Sequence, residues 1–465
     1  MLDRQLSSRL FITPLMRAAG ALIVLILAPV SQGQESANYS PDPKIASALK
    51  EISPEKIHAT IEQLVKFGTR STLSAQDPGS IAAGRGIGAA REWIKSEFER
   101  YSKDCGGCLE VKLDSFTEGP ADRIPKPTQI TNVYAILKGS DPDAANRIVL
   151  VTGHYDSRNS ANDNIRDDAP GANDDASGTA VSLACARALS KMKFPGTIIF
   201  LTLAGEEQGL NGSKHFSQMA KQQNWDIEAV LNNDIVGGNK GPGQDPFVVR
   251  VFSEGVPVAA DDKQLRQIRN LGGENDSISR ELARYVAETG TVYDPGVKPL
   301  LVFRLDRYLR GGDHYSFNQQ GFAAVRLTEF REDFTRQHQT IRTENGIEYG
   351  DVLKHVDFDY VARVARLNAA TLASLAAAPG PPCEVRLATA NLENDSTLQW
   401  KPSNGASSYE VVWRATSSPE WEHWQRIGNV TKTTLQISKD NVIFAVRAVD
   451  NEGHRSLPVV PLPER

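Results

Sequence analysis

The sequence predicts an α/β protein with a central mixed, mostly parallel sheet, followed by a small C-terminal β-sandwich. Three observations carry this. Near-continuous apolar runs alternate with helical segments, the pattern of strands buried on both faces between layers of helices. Those runs end in acidic or imidazole groups, as in GHYDS, LAGEE and LNNDIVGG. Beyond the proline-rich stretch APGPPCE at 378–384, short segments alternate at period two instead, which suggests a sandwich over 385–465.

The elements follow in order. Ser53 caps a helix over SPEKIHATIEQLVKFG, with Pro54 in its first turn and Ile57, Ile61 and Leu64 on one face. GIGAAREWIKSEFERYS is a second amphipathic helix, with Ile87, Trp93, Ile94 and Phe98 inward, and EVKLDSF alternates like a strand. TNVYAILKG and RIVLVTGHYD are strands, TAVSLACARALSKM a helix and GTIIFLTLAGEE a strand. GSKHFSQMAKQQ is a helix, IEAVLNNDIVGG a strand, AAVRLTEF a late strand and DYVARVARLNAATLASLAAA a closing helix. In the last part STLQW, SYEVVWRAT, TTLQIS and VIFAVRAVDNEGHRSLP read as strands. No internal repeat is visible.

Composition narrows the function. The 465 residues are 40% apolar and 23% charged with a net charge of -5, and no basic run follows the N-terminal region; this argues against a nucleic-acid partner. Arg4, Arg9 and Arg17 precede AAGALIVLILAPV at 18–30, and the small polar stretch SQGQES follows. That is the pattern of a cleaved signal peptide over 1–33. As a membrane anchor the apolar stretch falls short of the ~20 residues that span a bilayer. The mature chain is therefore expected to be secreted or periplasmic, with no membrane span. Cys105 and Cys108 in DCGGCLE can close a small disulfide loop in an oxidising compartment; a zinc or redox pair is the alternative, without a visible second ligand pair. Cys185 and Cys383 are read as unpaired.

The chemistry collects where strands end. His154 and Asp156, Glu206 and Glu207, and Asp234 follow three successive strands; Asp174 and Asp175 precede a helix; Asp313 and His314 come later in GGDHYSF. Ligands of open α/β sheets bind beyond the carboxyl ends of strands, so these groups should converge on one crevice. Converging carboxylates repel unless a cation joins them. Mixed oxygen and imidazole ligands suit zinc. Two histidines with three or more carboxylates exceed one tetrahedral ion and suit a pair about 3.5–4 Å apart that shares a carboxylate and a water. Of the adjacent glutamates one would bind metal, while the other, pointing elsewhere, would act as general base.

Five motifs in order, GHYDS, GANDDASG, AGEEQGLNGS, LNNDIVG and GGDHYSF, with FGTR and NVYAILKG ahead of them, resemble the M28 family of zinc aminopeptidases. The resemblance covers about residues 45–375 and implies a three-layer zinc-peptidase fold over 34–377. It implies two Zn2+ ions bridged by Asp174, with His154 and Glu207 completing one, Asp234 and His314 the other. Glu206 would be the general base and Asp156 would orient His154. It also implies a cis Asp174–Asp175 peptide and a peptide or protein substrate with a free N-terminus. His215 is read as an ordinary helix residue, and His338, in FTRQHQT, as a loop residue after EFRED, with a place near the substrate as the lesser reading. The last segment resembles a fibronectin type III module with Trp400 in its core, although Val442 stands where the usual tyrosine would be. That likeness allows a surface or polymer contact, while Trp421 and Trp424 are read as packing residues. Three rival functions stay open. One is a carboxypeptidase or dipeptidase gripping a substrate carboxylate with Arg304, Arg307 and Arg310. The others are a glutaminyl cyclase-like transferase with a single zinc and a non-catalytic receptor.

Overall fold

The computed structural model describes residues 39–464; the expected signal peptide at 1–33 lies outside them. An eight-stranded sheet is formed by β1 (Leu109–Glu118), β2 (Thr128–Leu137), β3 (Arg147–His154), β4 (Thr197–Leu203), β5 (Asp226–Asn233), β6 (Val248–Ser253), β7 (Lys298–Val302) and β8 (Ala324–Glu329). Its order is β1-β2-β4-β3-β5-β8-β6-β7. The four central strands β4, β3, β5 and β8 run parallel. β1, β2 and β6 join antiparallel, so the sheet is mixed with a parallel centre. Every residue of β4 and β8 is buried, the signature of strands covered on both faces.

The helices are α1 (Pro43–Leu49), α2 (Pro54–Lys66), α3 (Pro78–Ala82), α4 (Ile87–Asp104), α5 (Ala176–Leu189), α6 (Asn211–Gln222), α7 (Asp262–Leu271), α8 (Ile278–Tyr293), α9 (His314–Gln319) and α10 (Phe358–Ala377). Local signals explain several of them. The Ser53 side chain accepts from the Lys56 N–H, satisfying a donor that the first turn of α2 leaves free. Ile57, Ile61 and Leu64 are buried, as are Ile87, Ile94 and Phe98 of α4. The large core on one sheet face takes in α2, α4, α5, α8 and α10. A smaller core on the other face is built around Phe216 of α6 and Phe317 of α9. Strands β6 and β7 and helices α7 and α8 have no counterpart in the sequence reading. No helix among the described residues is long and apolar enough to cross a membrane. Cys105 and Cys108 are disulfide-bonded, while Cys185 and Cys383 are free.

After a short hairpin, β9 (Arg342–Glu344) with β10 (Ile347–Tyr349), and helix α10, the chain forms β11 (Cys383–Ala388), β12 (Ser396–Lys401), β13 (Ser408–Ala415), β14 (His423–Ile427), β15 (Lys432–Leu435), β16 (Val442–Val449) and β17 (Leu462–Glu464). They make two facing sheets, β15-β12-β11-β17 and β14-β13-β16. Trp400, Tyr409, Phe444 and Val446 fill the space between.

This module is seated on α8 by buried polar contacts. Arg447, 2% exposed, reaches Glu288 at 2.7 Å and the Tyr39 hydroxyl at 2.9 Å. Trp421 Nε1 donates to Glu281 at 2.9 Å, and the Arg284 Nε donates to the Pro419 carbonyl at 2.8 Å. Trp424 packs near Tyr39, ring centroids 5.6 Å apart. Both tryptophans therefore serve packing at the seam. The described residues 39–464 form one compact unit.

Candidate metal centre

The parallel order β4-β3-β5 sets three strand ends side by side. His154 is the last residue of β3, Glu206 and Glu207 follow β4, and Asp234 follows β5. Asp174 and Asp175 stand just before α5, which lies against β3. Close approach makes this possible. A Cβ on Gly153 would sit 2.3 Å from the Gly178 carbonyl carbon, and one on Gly178 would sit 2.2 Å from the Asn233 oxygen. Two glycines thus let the start of α5 settle between β3 and β5. The Asp174–Asp175 peptide is cis.

The side chains gather into two groups, His154 with Glu206 and Asp234, and Asp174 with Glu207 and His338. Asp174 faces both. Its Oδ1 lies 3.2 Å from His154 Nε2, and its Oδ2 lies 2.9 Å from His338 Nε2. His338 Nε2 is also 3.1 Å from Glu207 Oε1, and His154 Nε2 is 4.0 Å from Asp234 Oδ1. Glu206 and Glu207 diverge into different groups from a turn, closed by the Gly209 N–H on the Glu206 carbonyl, rather than from extended backbone.

The structure places the two expected histidines differently. His314 opens α9, fully buried, with Nε2 2.9 Å from the Leu305 carbonyl and 3.8 Å from Asp306 Oδ2. It belongs to neither group. His338 stands there instead, because β8 pairs with β5 and delivers the chain to the same sheet edge, where the loop after Glu329 folds back over the strand ends. His338 adopts a left-handed backbone, φ 57°, a conformation that a side chain other than glycine takes up at some cost and that clusters at functional sites. The grouping also differs from the one the resemblance implies: His154 lies with Asp234, and Glu207 with His338.

A polar scaffold holds these groups. The Asp156 carboxylate accepts from the Thr72 hydroxyl at 2.9 Å and from the backbone N–H of Glu206 and Glu207 at 3.3 and 3.2 Å. It also lies 3.4 Å from His154 Nδ1, so one side chain positions the histidine and the glutamate turn together. Asp175 accepts from the N–H groups of His154, Gly178 and Ile235, tying β3, α5 and the end of β5. Asp351 accepts from the N–H of Asn173 at 2.8 Å and of Asp174 at 2.7 Å. Arg326, fully buried, reaches Asp234 Oδ1 at 2.9 Å and Asp306 at 3.3 Å.

Charge is unevenly matched here. Burial, then the carboxylates of Glu207, Asp234 and Asp313, push the Glu206 carboxyl well above the usual range. Burial likewise raises Asp175, and raises Asp313 to about 7. Burial opposes a charge on His338, yet Glu207 and Asp174 hold its pKa up to about 10. The side chains answer one another by retaining protons where a cation would serve. Two imidazoles, several carboxylates and one carboxylate with an oxygen toward each group fit zinc chemistry. Sequence reading gave His338 no metal role and missed Asp351 and Arg326. The available signal for the first was a histidine in a polar loop beyond the last sheet strand.

The site opens into a cleft of about 630 Å³ whose walls include Leu210, Leu309, Phe334 and Gln337. The family model described as peptidase family M28 matches residues 132–372, which contain every member of both groups. The chain belongs to peptidase family M28. Probable zinc metalloproteases of Pyrenophora tritici-repentis and Leptosphaeria maculans are similar along nearly the whole chain. They are 46% and 45% identical over 441 and 428 residues, spanning 94% and 91% of this chain and 90% and 98% of theirs. Among solved structures, LapA aminopeptidase and LapB of Legionella pneumophila are 21% and 20% identical, each with a TM-score of 0.51. Each match covers 74% of this chain and 78% of the other; at that identity the likeness shows the fold. The protein is a zinc metallopeptidase of this family.

Proposed function

We propose that this M28 peptidase is an exported aminopeptidase that holds two zinc ions, one at His154 and Asp234, the other at Glu207 and His338, with Asp174 shared. The observation that carries the reading is Asp174, whose two oxygens face two different histidines at 3.2 and 2.9 Å. When bound, the ions supply Lewis acidity toward the scissile carbonyl and lower the pKa of the attacking water. Glu206 is the general base. Half-buried at the cleft and raised in pKa, its carboxyl can take a proton from the attacking water and return it to the leaving amine. Asp156 positions Glu206 and His154 without touching substrate. Export rests on the N-terminal pattern at 1–33. The C-terminal sandwich is read as a fibronectin type III-like module, clamped to the enzyme rather than swinging as a spacer.

The acidic rim supports attack at a free N-terminus, since a protonated amine is attracted to Glu206 and its neighbours. Two of the three arginines proposed for a carboxypeptidase are engaged by neighbouring side chains. Arg307 lies 3.0 Å from Asp306 and 2.7 Å from Glu332, and Arg304 donates to the Tyr308 hydroxyl at 2.8 Å. The test compares N-acetyl-Leu-Ala-Ala-amide with Leu-Ala-Ala-amide. An aminopeptidase cleaves the second and spares the first; the reverse rejects the reading.

A further inference from the structure

Glu206, Glu207 and His338 belong to the two groups of the centre. The other charged residues lining the cleft are Arg123, Arg158 and Arg310. Arg158 is committed, its Nε 2.9 Å from Glu207 and its Nη2 2.6 Å from His338 Nδ1. Arg123 and Arg310 are not. Arg123 Nη1 donates to the Glu207 carbonyl at 3.1 Å, and Arg310 Nη1 donates to Glu332 at 2.9 Å. Among the described residues the Nε and Nη2 groups of both make no hydrogen bond, and both residues are exposed. Glu332 does not neutralise this wall, because it also serves Arg250 and Arg307. The Arg310 guanidinium stays beside the Phe334 ring, 5.8 Å from its centroid.

We propose that Arg123 and Arg310 bind a carboxylate carried by the substrate beside the scissile bond, supplied by an acidic side chain or by the C-terminus of a dipeptide. The inference rests on the aminopeptidase reading. A guanidinium offers a planar fork of donors that matches a carboxylate in two parallel hydrogen bonds. Each arginine keeps its Nε and Nη2 nitrogens for that purpose, anchored by its Nη1 bond to the wall. The cleft would therefore take acidic or very short peptides and disfavour basic ones.

The experiment measures kcat/KM on two substrate pairs. Ala-Glu-Ala-amide against Ala-Gln-Ala-amide reads the side-chain source, and Ala-Ala against Ala-Ala-amide reads the C-terminal source. The expected result is a preference for the carboxylate of roughly tenfold or more in at least one pair, the size of a hydrogen bond to a charged group. That ratio should shrink toward one in the Arg123→Gln, Arg310→Gln double variant, and should fall with added salt in the unaltered enzyme. Parity in both pairs, or a ratio that the double variant leaves intact, overturns the proposal. Failure of the aminopeptidase reading looks different: cleavage of N-acetyl-Ala-Gln-Ala-amide, or no cleavage of any unblocked peptide.

Discussion

Two buried polar regions of this molecule can be compared, the metal centre and the seam under the C-terminal sandwich. Both place charges out of water, and they resolve that cost differently. At the seam Glu410, fully buried, meets Arg447 at 2.9 Å, Arg455 at 3.1 Å and Arg426 at 2.8 Å. Burial opposes its charge, but Arg447 and Arg455 keep its pKa below the usual range. At the centre Glu206, Asp175 and Asp313 are driven upward by burial, with carboxylates for neighbours. A satisfied network is a fastening. A network of unmatched carboxylates is poised for a cation and for proton transfer.

That contrast can be broken from the centre outward. His338→Ala should have the largest effect, lowering zinc from two ions to one per chain and removing nearly all turnover, while His314→Ala leaves the count at two. Metal analysis of the purified variants decides it, and the opposite pattern would restore His314 to the ligand set. Glu206→Gln should keep both ions yet lose about 10²–10⁴-fold in kcat, the usual share of a general base; a variant that loses metal instead would make Glu206 a ligand.

The seam should respond in stability. Glu410→Ala leaves Arg447 with Glu288 and Tyr39 alone and Arg455 without its carboxylate, and should cost at most about 3–5 kcal/mol of unfolding free energy, read by denaturant titration. Turnover per folded molecule should hold, since Glu410 lies in the module. An unchanged midpoint would show the network to be dispensable.

The smallest effect concerns His454, whose ring nitrogens lie 2.8 Å from Asp450 and 3.0 Å from Asp42. Burial opposes its charge, but both aspartates raise its pKa above the ordinary value. A raised histidine pKa contributes stability that is complete below about pH 6.5, its unfolded value, and is lost as pH climbs through the folded one. Asp42 and Asp450 are lowered, so their share is lost toward low pH instead. Thermal melts from pH 6 upward should show a decline that His454→Gln flattens; identical slopes would exclude the clasp.

Much of this was legible in the sequence. The central strands, α2, α4, α5, α6 and α10 follow from periodicity and caps, and five of the six residues in the two groups were named: His154, Glu206, Glu207 and Asp234 from strand ends, and Asp174 from the start of a helix. The last two strands of the sheet order, β6 and β7, were not, since VVRVFS and KPLLV are short and sit among polar turns. His314 drew attention through the motif GGDHYSF and the resemblance that motif carries; in the fold it stands at the buried start of a helix.

Residue type and position at a strand end were determined by the sequence alone, because burying an unpaired carboxylate is costly and its placement is therefore informative. Which histidine stands beside Asp174 and Glu207 was decided by tertiary structure. The pairing of β8 with β5 returns the loop carrying His338 over Asp174, across 164 positions of sequence. The same holds for Arg326 on Asp234 and for Arg447 on Glu288. These partners are set by long-range strand register and domain seating, which no local pattern of residues encodes.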